Sequence, residues 1–276
     1  LCRQKGSMSI LSSLRSRIWP VPPIGVTLER FAKSIKSVPP RPLHFDDSIN
    51  IIIPCYNHAS NLHDAYLSVV GQTWTGPLTI SFIDDSSTDA TPKIIDDIIR
   101  AYTDPRLHLN HMHNPTNLRQ WASINKAVAA SNYRLIVILN DDDLLLPDAI
   151  EKIVSAFSIH PNIYMVGGSS LWIESDSRPK HTIKPVSDLE LTISEPTNTR
   201  DFRELNDLNM THTSSAFFKV AWECVGGYTP KNRRIHPLAN EDRDFQMRVN
   251  SVMPVGVYTD YPLAYWRTDS SHGKDF

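Results

Sequence analysis

From Ile49 onward the chain alternates between two hydrophobic rhythms. Ile49–Ile53 is a short apolar run ended by Pro54, the pattern of a strand buried on both faces. Residues 59–70 then place Leu62, Ala65, Tyr66, Val69 and Val70 at helical spacing. Leu78–Ile83 reads as the next strand, and Thr88–Tyr102 as a helix with Ile94, Ile95, Ile98 and Ile99 on one face. The cycle repeats with a strand over Leu107–Met112, a helix over Leu118–Ala130 and a strand over Arg134–Leu139. A helix over Pro147–His160 follows, with Pro147 suited to a first turn. This alternation predicts an α/β fold: a mostly parallel, Rossmann-like sheet with helices on both faces.

Past Asn162 the rhythm weakens. Ile163–Val166 and Thr213–Phe218 read as strands. Val220–Val225 reads as a short helix stopped by Gly226-Gly227, and Glu241–Val249 as a further helix. The polar, proline-bearing stretch from Trp172 to Thr199 reads as loops or a lid. Residues 1–48 differ in kind, with eight Lys or Arg against three acids and six prolines. A solvated leader is the favoured reading of that arm, and peripheral contact with an anionic membrane surface the other. The expected division is therefore a basic arm over 1–48 and one domain over 49–276, with a first half at 49–145 and a second at 146–276.

Composition narrows the class. With 41% hydrophobic and 21% charged residues in 276, a large core forms readily, and a net charge of -2 gives no reason to expect nucleic acid as a partner. Cys2, Cys55 and Cys224 are few, odd in number and far apart, which argues against a disulfide framework or thiolate zinc site. No apolar run approaches the roughly 20 residues that span a bilayer. These features favour a cytoplasmic protein.

In open parallel sheets ligands bind beyond the carboxyl ends of the strands, so the residues following each strand carry the chemistry. After the first come Pro54-Cys55-Tyr56-Asn57; after the second, Asp84-Asp85-Ser86-Ser87-Thr88-Asp89; after Arg134–Leu139, Asn140-Asp141-Asp142-Asp143. The two acidic clusters are expected on strands lying side by side. Adjacent carboxylates repel unless they are solvated or a divalent cation compensates them, and oxygen ligands suit Mg2+ or Mn2+. The plainer alternative is acidic caps on the helices that follow.

In order and spacing these segments resemble the family 2 glycosyltransferases of GT-A fold. The resemblance extends through Ser123-Ile124-Asn125, Ser214-Ala216-Phe217-Phe218, Gly226-Gly227-Tyr228, Asn240-Glu241-Asp242 and Tyr265-Trp266-Arg267, and covers about Ile49 to Ser271. It implies an inverting enzyme that moves a sugar from a nucleotide-sugar donor, in most members a UDP-sugar, to a hydroxyl of a glycan or lipid-linked acceptor. It implies a donor pocket at Pro54, Tyr56, Asn57, Asp84, Asp85, Arg119, Asn140 and Asp141, a metal held by Asp142, and a base at Asp242 beside Glu241. His212 and Ser214 fall on the acceptor side. Two positions depart from the family. Asn140 stands where an Asp is common, and Thr268-Asp269 where a His is common, so Asp269 or His272 is the candidate third metal ligand. The processive Gln-x-x-Arg-Trp motif is missing, which points to one or a few sugar additions. The rival readings are a sugar nucleotidyltransferase, disfavoured because Pro54-Cys55-Tyr56-Asn57 holds no glycine for a phosphate loop, and a GT-A-like binding domain without turnover.

Overall fold

The computed structural model describes residues 48–174, 181–197, 208, 210–230 and 240–268. The arm over 1–47, Asp269 and His272 lie outside the described residues. The elements run β1 (Ile49–Cys55), α1 (Ala59–Val70), β2 (Leu78–Asp84), α2 (Thr91–Ala101), β3 (Leu107–His113), α3 (Gln120–Ala130), β4 (Leu135–Ile138), β5 (Leu144–Leu145), α4 (Ala149–Ile159), β6 (Met165–Ile173), β7 (Leu191–Ser194), β8 (Ala216–Phe218), α5 (Lys219–Val225), α6 (Glu241–Asn250) and β9 (Val255–Arg267). A 3-10 turn covers Val186–Asp188.

The described strands form one sheet in the order β3-β2-β1-β4-β8-β6-β9-β5, with β7 added on β9. Strands β1 to β4 are mutually parallel, so their carboxyl ends share one rim. Strand β8 runs antiparallel to both β4 and β6. The two acid-bearing strands are not side by side as expected: β1 lies between β2 and β4. Each crossover passes through a helix, and chain order alone does not decide on which side of β1 the next strand lands.

Strand β1 is buried along its whole length and continues through Pro54 to Cys55 instead of ending at Ile53. A proline fits this central strand for a local reason. Cys55 faces β2, its carbonyl accepting from Asp85, while Ile52 faces β4, its carbonyl accepting from Leu139. Pro54 shares the side of Ile52, where β4 has already ended opposite it, so the missing N–H removes no ladder bond. Helix α2 buries Ile95 and Ile98 and keeps Ile94 and Ile99 half-covered, the stripe that the spacing predicts. Trp74 and Trp121 pack against the main core.

The later half departs further from expectation. Strand β6 extends to Ile173, and β7 pairs antiparallel with β9, so part of the stretch expected as loops is sheet. The 13-residue β9 escapes the alternation rule because its register against β6 shifts twice, between Gly168 and Ser169, where Tyr258 gives way to Pro262, and between Ser169 and Ser170, where Pro262 gives way to Ala264. A smaller apolar cluster of Leu144, Leu146, Ile173 and Tyr265 closes the space behind the acidic loop that follows β4.

Candidate active site

The rim is assembled by bonds between loops. The Tyr56 amide donates to Asp141 Oδ2 at 3.0 Å, joining the turn after β1 to the turn after β4. The Asn57 amide donates to Ser87 Oγ, and the Thr88 amide to Asn57 Oδ1 at 2.8 Å, joining the turns after β1 and β2. The Asn114 amide donates to the Asp84 carbonyl, and Asn114 Nδ2 to Asp85 Oδ1 at 2.8 Å.

These bonds divide the predicted donor residues into two kinds. Both oxygens of buried Asp84 serve the protein: one accepts from the Ser87 amide, the other meets His113 Nδ1 at 2.8 Å. Asp85 Oδ1 accepts from Asn114 and from the Leu118 amide at 2.8 Å, which fixes the entry to α3. Asn140 is likewise engaged, accepting from Gln120 Nε2 and donating to Asp143 Oδ2. Pro54 is inside β1 and buried, whereas Tyr56, Asn57 and Arg119 are exposed on the rim.

The tightest acidic constellation is His58, Asp141 and Asp142, with one ligand atom from each lying within 4.8 Å of the others. His58 Nδ1 is 2.8 Å from Asp141 Oδ1. Burial opposes the imidazolium, yet the hydrogen bond and charge of Asp141, helped by Asp142 and Asp89, raise His58 to about 9. Burial, countered by His58 and reinforced by the Asp142 charge, pushes Asp141 up. Both directions have one meaning: carboxylates gathered out of water at this point favour positive charge beside them. The sequence reading missed His58. An imidazole directly after Asn57 looks like a helix flank, and becomes a ligand candidate only because folding lays it against a loop 83 residues on.

Asp143 and Arg267 hold that loop. The Arg267 amide donates to Asp143 Oδ1 at 3.0 Å, and its Nε to the Asp142 carbonyl at 3.1 Å. Toward the loop that carries His212 and Ser214, the Asn140 amide donates to Thr213 Oγ1, and buried Ser214 donates its amide to the Ile138 carbonyl. The neighbouring His212 ring stands edge-on to Tyr228 at 5.6 Å, and Tyr228 stacks on Phe245 of α6 at 4.1 Å. Burial raises the Tyr228 phenol well above its ordinary value, and the negative charge of Asp242 adds to the effect. Glu241 and Asp242 are half-buried in the first turn of α6. Asp242 is therefore near enough for its charge to act on Tyr228, beside the loop that carries His212. Asp244 acts within the scaffold instead, holding Arg248 Nε at 2.8 Å while Arg248 reaches the carbonyls of Val225 and Gly227. The groove between α1 and α2, lined mainly by Tyr66, Ile94, Ile98, Ala101 and Tyr102 with His63 and Asp97 among them, contains none of the predicted site residues.

No helix among the described residues is long and apolar enough to cross a membrane. The model of the family described as Glycosyl transferase family 2 matches residues 50–226. The putative glycosyltransferase EpsE of Bacillus subtilis is 29% identical over 123 residues, 45% of this chain and 43% of EpsE. The S. aureus TarS 1-349 structure superposes with a TM-score of 0.58 at 16% identity, over 80% of this chain and 60% of that one. The mannosyltransferase PcManGT from Pyrobaculum calidifontis, solved with GDP-Man and Mn2+, gives 0.54 at 17% identity, over 90% and 67%. The chain spans less than half of EpsE, and the structural likenesses show a shared fold.

Proposed function

The chain is a member of glycosyl transferase family 2, and from that premise we propose that it transfers a sugar from a UDP-sugar to a hydroxyl of a glycan or lipid-linked glycan, with inversion and with Mn2+ or Mg2+ at the diphosphate. Membership sets aside the nucleotidyltransferase alternative. The observation that carries the reading is the convergence of His58, Asp141 and Asp142 on the rim shared by β1, β2 and β4. TarS has been solved with UDP and with UDP-GlcNAc, which supports a uridine donor.

The donor set fits a small divalent cation: two carboxylates and an imidazole in reach of one point. Asp142 and Asp141 would hold the ion, with His58 either joining them or orienting Asp141. When bound, the ion supplies Lewis-acid stabilisation of the charge that develops on the leaving diphosphate. The chain's own groups do the rest. Tyr56 presents its exposed ring on the nucleoside side, while Asp84 and Asp85 fix the turns that frame it. Arg119 offers a guanidinium at the start of α3. Asp242 accepts the proton of the acceptor hydroxyl as that oxygen bonds to the anomeric carbon and the diphosphate leaves from the opposite face. One carboxylate base suffices for such a single displacement.

A thermal-shift screen of nucleotide sugars with Mn2+ identifies the donor, since a ligand bound only by the folded state raises Tm. Calorimetry with UDP and Mn2+ then separates the roles. Asp142→Ala weakens nucleotide binding, whereas Asp242→Asn keeps it and abolishes transfer. Equal UDP affinity in Asp142→Ala and the parent protein refutes the metal assignment. Donor binding without turnover in the parent points instead to a binding domain.

A further inference from the structure

Trp172 is the most exposed large apolar side chain among the described residues, at 69%. It faces Trp266 directly in the β6–β9 register, with ring centroids 5.2 Å apart and planes at 84°. Its neighbours Leu171 and Ile173, like Tyr265 beside Trp266, alternate to the opposite face and pack with Leu144 and Leu146. Folding therefore uses one face of this strand pair for core and leaves two indoles on the other.

The surroundings of the pair connect it to the candidate site. One step back on the same face of β6, Ser170 Oγ meets Thr211 Oγ1 at 2.8 Å, and Thr211 leads into His212, Thr213 and Ser214. Arg267, next along β9, holds Asp142 and Asp143 with its side chain on the other face of the strand. The indoles thus share their face with Ser170, which joins them to the loop that carries His212 and Ser214.

Resting on the glycosyltransferase reading above, we propose that Trp172 and Trp266 form an aromatic subsite that stacks against a pyranose ring of the acceptor glycan. A pyranose presents an apolar face of C–H groups bordered by hydroxyls. Rigid aromatic surface edged by a few hydroxyl groups complements that shape, and an indole gives large contact area at low entropic cost. The polar margin of Ser170, Thr211 and Thr268 argues against an acyl chain, which requires a wider apolar patch. The exposed Glu174, two residues beyond Trp172, argues against an anionic bilayer surface.

The test uses the full chain with three neutral probes, cellotetraose, chitotetraose and mannotetraose, followed by tryptophan fluorescence and calorimetry. At least one probe quenches emission. Its affinity falls about tenfold or more in Trp172→Ala and in Trp266→Ala, while Trp172→Tyr stays within about threefold of the parent. Far-UV circular dichroism and Tm establish that each variant folds. Equal saccharide affinity in both alanine variants overturns the subsite. So does the parent binding no tetrasaccharide while still binding UDP with Mn2+, a result that leaves the glycosyltransferase reading standing. Failure of the parent to bind UDP refutes that reading itself. Loss in Trp172→Ala of phosphatidylcholine-vesicle binding or of a dimer, with saccharide affinity unchanged, also overturns the subsite.

Discussion

Replacing Asp148 tests whether the loop behind the acidic rim depends on a buried charge pair. Asp148 follows that loop and precedes α4; it is 0% exposed, and Lys152 one turn later is 1% exposed. The ammonium lies 3.3 Å from Asp148 Oδ2, the same oxygen accepts from Tyr261 Oη at 2.6 Å, and His181 Nε2 is 3.3 Å from Oδ1. Asp148→Ala leaves the lysine charge buried without that carboxylate. Removing one partner of a buried pair costs about 3–5 kcal/mol. At roughly 2–4 °C per kcal/mol for a domain of this size, Tm falls by about 6–20 °C. The desolvation argument also fixes the sign of a second change. Lys152→Met in the Asp148→Ala background removes the stranded charge and recovers about half or more of the loss, a coupling read from a double-mutant cycle in urea. If Asp148→Ala costs less than about 1 kcal/mol, or Lys152→Met adds to the damage, the buried-charge reasoning fails. UDP calorimetry on the same proteins shows whether loosening α4 reaches the carboxylates.

Three further outcomes are expected. Arg119 is held at φ 75° and ψ 156°, a region that is essentially glycine's, so Arg119→Gly raises stability by about 1 kcal/mol while weakening UDP binding; an unchanged or lower Tm denies the strain. Asn125 accepts from Trp222 Nε1 and the Tyr228 amide and donates to the Tyr228 carbonyl, each at 2.8 Å. Asn125→Ala strands these buried groups and lowers the urea-derived stability by on the order of 3 kcal/mol; a loss below about 1 kcal/mol counts against it. Burial, with Asp141 and Asp84 adding, pushes the Cys55 thiol well up, and Cys224 is buried too. Iodoacetamide at pH 7.5 therefore alkylates both only after unfolding, as peptide mass mapping reads, and labelling of native Cys55 at a free-thiol rate contradicts this.

The parallel half of the sheet was legible because its signals are local. Ile51–Ile53 and Leu135–Ile138 are apolar runs, Ile80, Phe82 and Ile83 dominate β2, and the stripe of α2 has helical period. What was not legible depends on partners distant in sequence. Strand β7 exists because β9 offers it an edge, β9 is hidden by its two register shifts on either side of Pro262, and β5 is two residues pinned to Ala264 and Tyr265. The chemistry divides the same way. The Asp141-Asp142 pair announces itself by charge density. The commitment of Asp84 to Ser87 and His113, and of Asn140 to Gln120 and Asp143, appears only once the loops meet. Charge in the sequence says where acids gather; the bonds they accept say which loops they brace.

Backbone strain gathers in the same loops as the charge. Among the described residues, four that are not glycine have positive φ: Asn57 at 55°, Ser86 at 66°, Arg119 at 75° and Ser214 at 69°. Asn57 and Ser86 lie in the turns after β1 and β2, Arg119 between β3 and α3, and Ser214 donates its amide to the last residue of β4. Asparagine tolerates this region, but serine and arginine incur a cost there that surrounding bonds must overcome. Had the fold alone set these turns, glycine would have filled them with less strain. Instead Ser86, Arg119 and Ser214 keep polar side chains at positions that strain them, and Asn57, which tolerates the region, joins them in the loops around Asp141, Asp142 and His58. A ligand-binding rim accounts for that coincidence, since a side chain retained at the expense of strain is retained for what it touches.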